Sequence, residues 1–197
     1  MIKRIATTCV LSLCLVGNAI SAEDDVINSI NEGMDFYKNG EYAEATSSLN
    51  YAVQLIQQKK GEALGGLLPE PLDGWTAAEA QSQAAGAAMF GGGVNAEREY
   101  SKGNSRVSIS IMTDSPLLQS VMMMFSNPMF ATADGGKMER INRQKAIVKY
   151  SPADKSGELQ MVVNNRFLVT VEGSDISREE LLEYATAIDV KKMADLP

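Results

Sequence analysis

Asn104-Ser105-Arg106-Val107-Ser108-Ile109-Ser110-Ile111-Met112 is the stretch from which the fold can be read. Val107, Ile109 and Ile111 alternate with Ser108 and Ser110. A period of two sends the β-branched residues to one face and the hydroxyls to the other, the pattern of a half-buried strand. Upstream, Val94 to Tyr100 reads as its partner, joined through the turn Ser101-Lys102-Gly103-Asn104-Ser105. Downstream, Lys137 to Ile141 and Gln144 to Tyr150 form a pair joined by Asn142-Arg143. Gly157 to Val163 and Arg166 to Glu172 form another, across Asn164-Asn165, which tolerates positive φ and suits a tight hairpin. The pattern predicts an α+β chain: an N-terminal helical hairpin, then an antiparallel sheet of about six strands flanked by helices. Two helices are expected against the apolar face of that sheet.

The first of these helices starts at Asp114-Ser115-Pro116, where Ser115 or Asp114 caps and Pro116 fits the first turn. Leu117, Leu118, Val121, Met122, Met123, Met124 and Phe125 follow, and Asn127-Pro128 ends it. A helix apolar nearly all round is covered on more than one side or meets something outside its own domain. The second is announced by Ser177-Arg178-Glu179-Glu180, a capping box, with Leu181, Leu182, Tyr184, Ala185 and Ile188 as its apolar stripe. The tail beyond it, to Pro197, reads as loosely packed.

The first 22 residues read as a secretory signal. Lys3 and Arg4 precede an apolar run from Ile5 to Val16, and Ser21-Ala22 stands before Glu23-Asp24-Asp25. Cleavage after Ala22 would remove both cysteines, Cys9 and Cys14, and take the net charge from −7 to −9 by the loss of Lys3 and Arg4. Such a chain is expected in the periplasm, held together by packing alone. Its acidic balance argues against nucleic acid as a partner, and no stable membrane insertion is expected once the signal is gone. The chain has no histidine. That excludes Ser-His-Asp chemistry and, with the cysteines gone, thiolate nucleophiles and ordinary zinc sites.

Residues 23–62 read as a helical hairpin. One helix runs near Asp25 to Lys38 with Val26, Ile30, Met34 and Tyr37 at helical spacing, ended by Asn39-Gly40. The other runs near Tyr42 to Lys60 with Ala45, Leu49, Ala52, Val53 and Ile56 along one stripe. Gly33, Phe36, Gly40, Tyr42, Ala45, Leu49 and Ala52 resemble a single tetratricopeptide repeat, which implies a docking surface for a peptide or protein. The alternative is a plain hairpin packed on the main domain or on a second copy of the chain. Residues 63–74, with Gly65-Gly66, Pro69, Pro71 and Gly74, read as a linker. Trp75 then anchors the second domain, 75–197. The alanine-rich run after it predicts a short helix capped at Thr76 with Glu79 three residues on, or an extended strand over Gln83 to Phe90. Gly91-Gly92-Gly93 makes a turn and lacks the Lys-Ser or Lys-Thr of a phosphate loop.

Three groups could carry chemistry. Met112, Met122, Met123, Met124, Met129, Met138 and Met161 could bind Cu(I), but consecutive helical residues diverge by about 100° each. A plastic core or adaptable contact surface is the simpler reading. The carboxylates Asp73, Glu79, Glu97, Glu99, Asp114, Asp134 and Asp154 show no spacing that singles out a catalytic pair or a calcium loop. No cofactor or metal is therefore implied. The third group is the apolar helix with Met129-Phe130, which could cover a groove for a lipid or meet a partner protein.

The span from Leu68 onward resembles a family of uncharacterised bacterial secreted proteins. The matching landmarks are Gly74-Trp75, Met89-Phe90-Gly91-Gly92-Gly93, Ile111 to Leu118 and Val171-Glu172-Gly173. In topology the order of elements resembles the Mog1/PsbP-type α/β/α sandwich, which brings no function with it. The sequence thus predicts a non-catalytic periplasmic accessory protein that binds another envelope protein. Its candidate contact residues are Phe36, Tyr37 and Tyr42 on the hairpin, with Leu117, Leu118, Met122, Phe125 and Phe130 on or after the apolar helix. The alternative is a carrier of a lipid or other apolar ligand held between helix 116–125 and the sheet. Association of two copies stays open.

Overall fold

The computed structural model describes residues 22–84, 93–127, 129 and 135–196. Residues 1–21, where the signal is expected, 85–92, 128, 130–134 and 197 lie outside the described residues, and with them Phe130 and Asp134.

Two antiparallel helices come first, α1 (Ala22–Asn39) and α2 (Tyr42–Gly65). Among the described residues eight strands follow: β1 (Thr76–Ala77), β2 (Gln81–Ala84), β3 (Val94–Lys102), β4 (Ser105–Thr113), β5 (Lys137–Ile141), β6 (Gln144–Ser151), β7 (Ser156–Val163) and β8 (Phe167–Ser174). The helix α3 (Pro116–Ser126) connects β4 to β5, and α4 (Arg178–Ala187) and α5 (Val190–Ala194) close the chain. All strands join one antiparallel sheet in the order β1-β3-β4-β8-β7-β6-β5, with β2 also paired to β3. The α+β class is as expected, with two more strands than the sequence counts.

Register explains the core. Ala96, Ile111, Val169, Met161 and Ala146 sit opposite one another across β3, β4, β8, β7 and β6, and all five are fully buried. The next row sets Ile109, Val171, Leu159 and Val148 side by side. Leu181, Tyr184 and Ala185 of α4 cover this face with Ile176, Ile188 and Met193. Gly157 and Gly173 lie opposite each other where α4 begins. A Cβ on Gly173 would come 2.0 Å from Ile176 Cδ1, and one on Gly157 would come 2.8 Å from Leu181 Cδ2. Both positions need the missing side chain so that the helix can approach the sheet. The capping box at Ser177 is formed, its hydroxyl accepting from the Glu180 N–H.

Several expectations are corrected. The helix α3 packs on the opposite face of the sheet from Ile109 and Ile111. Phe125 meets Ile147 there, and Val121 and Met124 pack with Met138 and Val162. The segment 63–74, expected to be a linker, belongs to the main core: Leu64, Leu67 and Leu68 are buried in it with Trp75. Trp75 meets Tyr184 edge-on at 5.2 Å, Tyr184 lies 4.7 Å from Tyr100, and Tyr100 Oη donates to the Pro69 carbonyl at 2.7 Å. Burial pushes the Tyr100 phenol well above its ordinary range and the Tyr184 phenol up to about 12. The helix α2 runs a turn past Lys59-Lys60, because Gly61 is a contact and not a stop: its Cβ would fall 2.9 Å from the Ser82 side chain of β2. Thr76 opens a strand instead of a helix. It pairs with Ser101, and its hydroxyl donates to the Ser101 carbonyl at 3.2 Å, so a sheet edge overrides the local capping pattern. The tail is not loose: Asp189 caps α5 through the Lys191 and Lys192 N–H groups, and Met193 is fully buried.

Candidate functional site

Among the described residues most of the exposed large apolar side chains lie on the hairpin, and its seam explains why. Ser29 and Gly33 of α1 and Ala45 and Ala52 of α2 are the buried residues where the helices meet. A Cβ on Gly33 would sit 2.8 Å from Leu49 Cγ. Small residues bring the two axes close but bury little apolar area. The bulky side chains therefore lie beside the seam. On α1 they are Ile27, Ile30, Met34 and Tyr37; on α2 they are Tyr42, Leu49, Val53 and Ile56. At about 100° per residue, both sets fall on the same side of the seam, since antiparallel helices turn in opposite senses when viewed from one end. The two ends confirm it. At the tip, the Tyr37 and Tyr42 rings are 5.6 Å apart, and at the base Ile27 and Ile56 line one recess. On the reverse side Ser48 Oγ donates to Glu32 at 2.9 Å, and Phe36, Tyr51 and Leu55 lie toward it. On the apolar side Ile27, Met34, Tyr37, Tyr42, Leu49, Val53 and Ile56 expose between 41% and 66% of their surface.

At its base this face runs into an apolar recess of about 480 Å³, floored by Val26, Leu64, Phe167 and Leu196. Lys59, Lys60 and Arg166 line it as well, giving it a basic rim. Lys60 pairs with Asp114 at 2.6 Å, and the Arg166 guanidinium donates to the Leu196 carbonyl at 2.9 Å.

The α3 helix is a smaller candidate. Ser115 Oγ accepts from the Leu117 N–H at 3.3 Å to cap it, and Leu118 and Phe125 are buried. Leu117 is half exposed, while Met123 and Met129 are exposed. Met122, Met123 and Met124 diverge: the first is half-buried, the second faces out and the third packs with Phe125. Phe125, Val121 and Met124 fill the contact with Ile147 and Val162, and an open groove of about 1400 Å³ runs along the rest of the helix, lined by Leu118, Met122, Met123, Asn165 and Arg166.

The third candidate is polar. On the sheet face shared with α3, Glu99, Ser108, Glu172, Glu158 and Lys149 stand in one row across five strands. They line a groove of about 760 Å³ together with Arg106, Ser151, Ser156 and Ser174. Gln160 Nε2 donates to Glu158 at 2.6 Å, and Ser108 Oγ donates to Glu97 at 2.7 Å. Among the described residues no group of three His, Cys, Asp or Glu side chains is placed to hold a metal ion.

Of the residues picked from sequence, Tyr37 and Tyr42 come together at the exposed tip, and Phe36 turns to the half-buried side of α1. Leu118 and Phe125 serve the core beneath α3, while Leu117 and Met122 stay partly accessible. Sequence reasoning did not pick Ile27, Leu49, Val53 or Ile56 as contact residues. Their signal was present: Tyr42, Leu49 and Ile56 are seven residues apart, beside a seam of residues too small to need them. Among the described residues no helix is long and apolar enough to cross a membrane. No family model, no curated protein and no solved structure matches this chain.

Proposed function

We propose that this is a non-catalytic accessory protein of the cell envelope, whose working surface is the apolar face of the α1–α2 hairpin. The observation that carries the reading is the pairing of a small-residue seam with a bulky exposed stripe on each helix. Exposed contiguous apolar faces of this kind mark interaction sites. The rest of the chain supports the same view. It has no histidine, and both cysteines fall in the expected signal segment, which also supports a periplasmic address. Carbene footprinting tests the proposal. Ile27, Met34, Leu49 and Val53 should label strongly in the dilute purified chain and several-fold less in intact producing cells. Equal labelling in both settings would overturn it.

The second reading, a carrier of an apolar ligand, is favoured by the recess of about 480 Å³ at the hairpin base. Ligand cavities start at roughly 300 Å³. Native mass spectrometry of the chain isolated from its own cells separates the two, since a bound lipid mass lost in Leu64→Trp would establish the carrier.

A further inference from the structure

We infer that the occupant of the hairpin face is a second copy of this chain, docked antiparallel about a twofold axis over Leu49. The inference rests on the docking role proposed above and names its partner.

Three observations point to self-pairing. The first is spacing. Tyr42 and Ile56 lie equal distances from Leu49 along α2, so a rotation about Leu49 sets each Tyr42 against the partner copy's Ile56. An isologous contact needs this kind of self-complementarity. The second is shape. The face carries a knob at one end and a hole at the other. The knob is the Tyr37–Tyr42 pair, with rings 5.6 Å apart and standing into solvent. The hole is the recess of about 480 Å³ at the base, ample for two phenol rings. Antiparallel docking seats the knob of each copy in the hole of the other. The third is charge. Glu41 stands at the tip, while Lys59 lines the hole beside Lys60, which pairs with Asp114. Tip-to-base docking sets acid against base, whereas parallel docking sets like against like.

The area also fits. The seven exposed side chains present on the order of 800 Å², about what each partner gives to a stable interface. Two hairpins laid face to face form a four-helix layer with bulky residues inside, the arrangement that ordinary bundles use.

The test is sedimentation of the full purified chain, where a species of two chains is expected. Leu49→Glu should weaken the dimer by about 100-fold, since it buries a carboxylate at the axis, while leaving the far-ultraviolet spectrum unchanged. A monomer for the parent chain at 100-fold dilution steps up to the solubility limit would overturn the inference. Photo-crosslinking from Tyr42→p-benzoylphenylalanine in producing cells then separates this inference from the docking role. An adduct joining position 42 to the Ile56 region of a second copy supports both. A 42-to-42 adduct overturns the antiparallel register. An adduct with a different protein overturns self-pairing and leaves the docking role standing, and no adduct at all removes both.

Discussion

The sheet and the hairpin are both antiparallel arrangements of amphipathic elements, yet they solve burial differently. In the sheet, large side chains interlock: Ile109, Ile111, Leu159, Val169 and Val171 are fully buried, and α4 seals them with Leu181 and Tyr184. In the hairpin, the contact is made by Ser29, Gly33, Ala45 and Ala52, and the large side chains stay outside. Each buried large apolar side chain contributes roughly 1.5–3 kcal/mol, whereas a glycine–alanine seam contributes little. The sheet therefore supplies the stability of the chain, and the hairpin holds its apolar area in reserve.

The largest expected effect breaks that contrast most directly. Trp75→Ala should cost about 3–5 kcal/mol in urea denaturation, because it empties the site between Tyr184 and the segment from Leu67 to Leu72. Val53→Ala in dilute solution should stay within about 1 kcal/mol of the parent. Similar losses for both would mean that Val53 is already covered. An intermediate effect comes from the glycines. Gly173→Ala should destabilise by about 1–3 kcal/mol, since its Cβ would meet the buried Ile176. Gly33→Ala meets the half-exposed Leu49 side chain, which can swing outward, and the Ala45 carbonyl at 3.3 Å, and against these it gains about 1 kcal/mol of helix propensity. It should be near neutral in the same denaturation experiment.

The smallest effect is electrostatic. The Lys102 ammonium, 2.7 Å from Glu180, and the Ser177 N–H hold the Glu180 carboxyl below its usual value. Its folded pKa lies below its unfolded one, so this contribution is present above the ordinary carboxylate pKa and is lost as pH falls through that range. Lys102 is partly exposed, and the pair is correspondingly weak. Lys102→Met should reduce the drop in Tm between neutral and acid pH by about 1–3 °C in calorimetry. No pH-dependent difference between parent and variant would show that the pair contributes nothing.

Strand positions were legible because alternation survives in single sequences, and the hairpin turns because Asn164 and Asn165 both take φ of 53°, as Asn tolerates. The face taken by α3 was readable but missed. Ala146-Ile147-Val148, Met161-Val162-Val163 and Phe167-Leu168-Val169 are unbroken apolar triplets, which signal burial on both faces at that end of the sheet. Gly61 and the segment 63–74 misled because glycine and proline mark turns locally, while here they mark close contacts set by distant elements. The apolar stripes of the hairpin were legible as helical. Their exposure was not, because a stripe normally faces its own core, and only the size of the seam residues shows that this one does not. The polar row from Glu99 to Lys149 was out of reach, since it exists only once five strands are placed in register.

The sheet has one further property, seen at its margins. One margin is β5, five residues carrying Lys137, Glu139 and Arg140. The other is divided between β1 and β2, of two and four residues, so neither presents a long run of unpaired backbone groups. Short, charged or interrupted edges are how β-proteins resist strand-to-strand polymerisation. Among the described residues neither margin offers a long flat template for adding a strand from another copy.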